Sequence, residues 1–157
     1  MKLPPAVEIV AVEPEGKNFD VLCMNAARFN IECVKAAISS QTGRARVIDP
    51  GRGDWGYQTE PAADGDVPSV TINSLYRRYA KDRIVPFIVK IDIEGGEKDL
   101  FALNTEWIRE TPLLIVELHD WLLPKSGTSG PFLRSIAGLD RDFLQKSENV
   151  FSISNSM

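Results

Sequence analysis

At 157 residues the chain suits one ordinary domain and is too short for two well-formed ones. Hydrophobic residues make up 43% and charged residues 25%, which excludes a disordered tail or a fibrous repeat and allows a core that buries roughly 70% of the unfolded surface. Its 18 basic against 22 acidic side chains give a formal charge of −4, which argues against broad, phosphate-driven nucleic-acid binding and leaves room only for a local basic patch.

In chain order, the apolar, β-branched run at residues 7–12 (VEIVAV) predicts a first strand. Phe19, Leu22, Ala26 and Phe29 then share one face of a helix, and residues 31–38 read as a weaker strand. Residues 42–67 are rich in Gly, Pro and Asp and contain Trp55 and Tyr57, so they read as a hairpin or long loop within the domain. Ile72, Leu75, Tyr76 and Tyr79 form a second helical face, with Thr71 placed as its cap. Residues 85–91 and 113–118 predict two more strands, apolar almost throughout as expected of strands buried on both faces, with a helix from Gly95 to about Asn104 between them. Residues 124–131 read as an exposed loop, 132–145 as a helix, and 150–153 as a strand that closes the sheet. Strands alternating with helices place the chain in the α/β class, as a single domain over residues 1–157 built on a mainly parallel sheet.

The two cysteines, Cys23 and Cys33, form no Cys-x-x-Cys pair and have no zinc-type neighbours, which fits a reducing cytoplasm. No run approaches a membrane-spanning length, and Met1-Lys2-Leu3-Pro4-Pro5 does not open a signal peptide, so the sequence reads as a soluble, cytoplasmic protein.

Ligands of open α/β sheets bind beyond the carboxyl ends of the strands, and those ends are unusually acidic here. The first strand ends in Glu13-Pro14-Glu15, where Glu13 can accept both hydroxyls of a ribose or can simply be a solvated charge at a turn. The strand at 85–91 runs into Asp92-Ile93-Glu94-Gly95-Gly96-Glu97, whose glycines admit a ligand to the backbone. Asp92 at the mouth of a central strand must be solvated, paired or ligand-bound, whereas Glu97 reads more readily as a helix-start charge than as a catalytic group. The strand at 113–118 delivers Glu117-Leu118-His119-Asp120-Trp121. His119 is the chain's one histidine; it is either a structural residue or a base for removing an alcohol proton, close to Asp92 on a neighbouring strand end. Trp121 reads as cover for the sheet edge rather than as a pocket wall. There is no Gly-x-Ser-x-Gly elbow, Walker loop or His-Glu-x-x-His helix, which disfavours the common hydrolase, nucleotide-hydrolysing and metalloprotease chemistries.

Ala11-Val12-Glu13-Pro14 followed by Asn18-Phe19, Ala37-Ile38-Ser39, Val70-Thr71-Ile72-Asn73-Ser74-Leu75, Lys90-Ile91-Asp92-Ile93-Glu94-Gly95-Gly96-Glu97 and Ile115-Val116-Glu117-Leu118-His119, in that order, resemble the FkbM-type methyltransferases. The Lys-Ile-Asp-Ile-Glu-Gly segment is the most specific part. The resemblance implies a Rossmann-like class I methyltransferase fold and S-adenosylmethionine as cofactor. It implies that Glu13 and Pro14 meet the cofactor ribose, that Ala37, Ile38 and Ser39 lie near the adenine, and that Asp92, Glu94 and His119 face the methyl acceptor, with Asp92 also near the cofactor. The acceptor implied is a hydroxyl of a small molecule or a glycan, methylated in line with the help of positioning, water exclusion and a base.

Such enzymes begin with a further strand and a glycine-rich turn, and neither motif stands before Glu13 here; the expected fold is therefore that of an N-terminally truncated domain. A truncated or degenerate, catalytically inactive binding or interaction domain is the alternative reading. Loss of a central strand would expose edges that favour self-association and poor solubility. A third reading is a metal-dependent transferase with Asp92, Glu94 and His119 as ligands, to which the sequence assigns no particular metal.

Overall fold

A computed structural model describes residues 8–54, 56–80 and 85–156, and the statements that follow concern these. β1 (Ile9–Val12), α1 (Gly16–Ala26) and β2 (Ile31–Val34) form a β-α-β unit whose strands run parallel, Ile9 opposite Ile31 and Val12 opposite Val34. Glu15 caps α1 by accepting from Asn18 N at 2.8 Å, and the helix ends at Ala26, so that Phe29 lies beyond the face on which the spacing put it and is exposed.

The weak strand expected over 31–38 is two strands in two sheets. After β2 the chain breaks at Lys35-Ala36 and β3 (Ala37–Ile38) pairs with β6 (Val67–Val70), joining β4 (Gly43–Ile48) and β5 (Gln58–Pro61) in a sheet of order β3-β6-β4-β5. The Gly- and Asp-rich stretch is thus the expected hairpin, with β6 added at its end; Trp55 lies outside the described residues. Thr71 caps α2 (Ile72–Ala80), its Oγ1 accepting from Ser74 N at 3.0 Å while Ser74 Oγ donates back to Thr71 O.

The third sheet, β7-β8-β10-β9, comprises β7 (Ile88–Ile91), β8 (Leu113–Glu117), β9 (Arg141–Lys146) and β10 (Asn149–Ser154). β7 and β8 are parallel, and β8, β10 and β9 are antiparallel. Its core is Leu114 and Val116 of β8, Ile91, Trp107, Phe132 and Val150. Three expectations fail here. The helix expected over 95–104 is a single turn, α3 (Glu97–Leu100): the chain leaves it at Phe101, which is no longer helical, and Asn104 further on takes a left-handed conformation (φ 55°) that a helix cannot contain.

The loop and helix expected at 124–131 and 132–145 are shifted and cut short. α4 (Ser129–Ile136) starts earlier, with Pro131 in its first turn where a missing N–H is harmless, and residues 141–146 are β9 rather than helix. What overrides the local apolar spacing is long-range pairing: the Arg141 guanidinium donates to the carbonyls of Ile108, Thr111, Pro112 and Ser152 and to Ser152 Oγ, which ties β9 to the start of β8. β7 also departs from the expected two-sided burial. Ile88 is exposed, as are Val85 and Phe87 before it, and among the described residues β7 pairs only with β8, as β1 pairs only with β2. The class is mixed α/β with three sheets.

Candidate active site

The parallel strands β7 and β8 end side by side, Ile91 opposite Val116, which brings Asp92 and the residues after it against Glu117 and His119. Between β7 and α3 the chain must reverse within a few residues: Glu94 is left-handed (φ 52°) and Gly95 lies at φ 100°. The conformation at Gly95 is one that a side chain rarely adopts, and a Cβ there, 2.4 Å from Leu123 Cδ1, would also push the Leu123 side chain aside. The turn is braced from the neighbouring sheet by Gln58 Nε2, which donates to Glu94 O at 2.9 Å. On the other strand, Leu122 and Leu123 N donate to His119 O, and Asp120 accepts from Thr128 Oγ1 at 2.9 Å. Hydrogen bonds from Ser129 and Thr128 hold the Asp120 pKa below the usual carboxylate range, so its charge anchors the entry to α4.

His119 is 1% exposed and is surrounded by carboxylates. Its Nδ1–H donates to Glu97 Oε1 at 2.8 Å, and Glu97 is wholly buried. Nε2 faces three more: Glu94 Oε2 at 3.3 Å, Glu117 Oε1 at 3.5 Å and Asp92 Oδ1 at 3.8 Å. Asp92 is also paired with Lys90 Nζ at 2.7 Å. Burial alone would lower the His119 pKa; the bond to Glu97 and the charges of Glu97, Glu94 and Glu117 outweigh it and raise the value. Burial, reinforced by the neighbouring carboxylates, pushes Glu94 and Glu117 up as well. The cluster can hold a proton, stabilise an imidazolium, or bind a cation.

Asp92, Glu94 and His119 are therefore brought together, which puts one cofactor candidate, Asp92, in the cluster, while Glu13, Pro14, Ala37 and Ile38 make no side-chain hydrogen bond or ion pair to it among the described residues. Glu13 follows β1, half-buried, its Oε1 accepting from Glu15 N at 2.8 Å; burial raises its pKa. No hydrogen bond or ion pair joins Glu13 to the His119 cluster among the described residues. Pro14 is half-buried beside it. Ala37 is buried with Ala45 and Val67, Ile38 packs against the main core, and Ser39 donates to Asp99 at 2.7 Å. Trp121, expected as cover for the sheet edge, is 61% exposed, its ring centroid 6.4 Å from that of His119.

Two members of the cluster were not singled out by the sequence as site residues. Glu97 does open α3, but as the buried partner of His119 rather than as a solvated helix-start charge. Glu117 stands two residues before His119, the spacing that puts side chains on one side of a strand, and that period was the available signal.

The chain matches the family model described as Methyltransferase FkbM domain over residues 3–144. None of the curated proteins or solved structures compared with it matches.

Proposed function

The chain belongs to the FkbM methyltransferase family, and on that premise we propose that it transfers the methyl group of S-adenosylmethionine to a hydroxyl of a small molecule or sugar. Asp92, Glu94 and His119 meet the acceptor, and Glu13 holds the cofactor ribose. The observation that carries this reading is the buried imidazole at the carboxyl ends of two parallel strands, with Glu97 on Nδ1 and three carboxylates 3.3–3.8 Å from Nε2. Family membership in turn implies a class I methyltransferase fold.

Glu13 fits the cofactor's chemistry. Its Oε1 is taken by a backbone N–H, while Oε2 makes no hydrogen bond within the described residues and remains an acceptor for a ribose hydroxyl. The cofactor, when bound, supplies an electrophilic methyl on a sulfonium sulfur. The chain's own residues orient the acceptor hydroxyl, exclude water from it, and take up its proton in the carboxylate and imidazole cluster.

S-adenosylhomocysteine, the product form of the cofactor, tests this directly. A ligand that binds only the folded state stabilises it by about 2.7 kcal/mol at roughly a hundredfold excess over Kd. The melting temperature should rise with ligand concentration and should do so less in Glu13→Ala. No shift at millimolar ligand contradicts the proposal.

A further inference from the structure

We infer that Asp92, Glu94 and His119, with Glu117 beside them, form a binding site for one divalent cation of the Mn2+ type. One carboxylate oxygen each from Asp92 and Glu94 and one imidazole nitrogen lie within 4.8 Å of one another. Measured from His119 Nε2, the nearest oxygens of Glu94, Glu117 and Asp92 are at 3.3, 3.5 and 3.8 Å. Ligand atoms about 2.1 Å from a shared ion stand roughly 3.0–3.4 Å apart, so the cluster needs only a small contraction to close on a cation.

A group of acids on a surface would not carry this, because such groups are common and water solvates them. Here the imidazole at the centre is 1% exposed, and no hydrogen bond forms at its Nε2 among the described residues. Beside it, Glu94 Oε2 is buried without a hydrogen-bond partner among the described residues. A buried polar atom left unpaired is costly, and this one stands 3.3 Å from Nε2. With Glu97 on Nδ1, Nε2 is the nitrogen on the side of the three carboxylates, the arrangement in which a carboxylate orients a metal-binding histidine.

Charge leads to the same conclusion. Asp92, Glu94, Glu97 and Glu117 all lie within 3.8 Å of one imidazole, and among the described residues the ammonium of Lys90 forms an ion pair with Asp92 alone. One imidazole with carboxylate oxygens suits Mn2+ better than a purely oxygen-seeking ion such as Ca2+ or a thiolate-seeking one. The inference rests on the reading that the methyl acceptor comes to this end of the sheet. A cation held there would lower the pKa of an acceptor hydroxyl bound to it.

The test uses the full, tag-free chain stripped of metal by a chelator. Mn2+ titrated into it should occupy one saturable site, followed by the loss of free-ion electron paramagnetic resonance signal. It should also broaden the imidazole resonances of the chain's one histidine. Asp92→Asn and Glu94→Gln should each weaken binding at least tenfold, whereas Asp64→Asn, at an exposed ion pair with Arg46, should leave it unchanged. Circular dichroism checks that each variant folds, and if one of the two site variants does not, the other decides. Absence of saturable binding up to millimolar Mn2+ in folded protein overturns the inference. So does binding that leaves the imidazole signals sharp, or binding that ignores both site substitutions. Stabilisation by S-adenosylhomocysteine is measured on the metal-free protein. If that stabilisation fails while Mn2+ does bind in the separate titration, the methyl-transfer reading alone is sunk; if it succeeds while Mn2+ does not bind, the cation site alone is sunk.

Discussion

The two parallel strand pairs of this chain are built alike and buried differently. β7 and β8 belong to a four-stranded sheet in which Leu114 and Val116 are completely buried. Among the described residues β1 and β2 stand as a pair, with Ile9 49% exposed and Val21 and Met24 exposed on the helix between them. The lesson is that apolar, β-branched sequence specifies a strand but not its covering. Packing, and with it local stability, is concentrated in the half of the chain that holds His119, while the half that holds Glu13 is the more easily opened.

Substitution at Phe132 should sharpen that contrast most. Phe132 is fully buried against Phe101, and Phe132→Ala should cost about 3–5 kcal/mol in urea unfolding, against under about 0.5 kcal/mol for Val21→Ala. Equal losses would break the comparison. Next comes Arg141→Met, which removes the donors that serve four backbone carbonyls around β8 and should cost about 2–3 kcal/mol by the same measurement. An unchanged midpoint would mean that the pairing of β9 does not depend on it.

Glu94→Gln should act in the opposite sense. The folded-state pKa of Glu94 is raised, so the stability contributed by its protonated form is present at low pH and lost as the pH rises through that value. Removing the charge from a buried, unpartnered oxygen should therefore raise the melting temperature at about pH 8, by the equivalent of roughly 1 kcal/mol, and change it less in acid. A variant less stable than the parent at alkaline pH would contradict the repulsion described for the cluster. Smallest of all, Arg46→Ala, which breaks exposed ion pairs to Glu60 and Asp64, should change stability by less than about 1 kcal/mol.

Much of this architecture was legible from residues. The apolar runs located β1, β7 and β8, Thr71 marked the start of α2, and the acids and histidine at the strand ends pointed to a cluster that does form. The illegible parts depend on partners distant in sequence. Residues 141–146 carry apolar spacing that suits a helix, and only pairing with β10 and the bonds from Arg141 make them a strand. β2 and β3 separate because each finds a different neighbour, β1 and β6. Glu97 resembled a helix-start charge because its burial is set by His119, 22 residues further along the chain.

The central claim is that the His119 cluster is the reacting end of a methyltransferase site, and the chain's one histidine makes it directly testable. Nuclear magnetic resonance of the His119 imidazole during titration with S-adenosylhomocysteine should show saturable shifts that follow the same binding curve as the thermal stabilisation. Imidazole signals that stay fixed while the ligand saturates the protein would place the cofactor elsewhere and contradict the account.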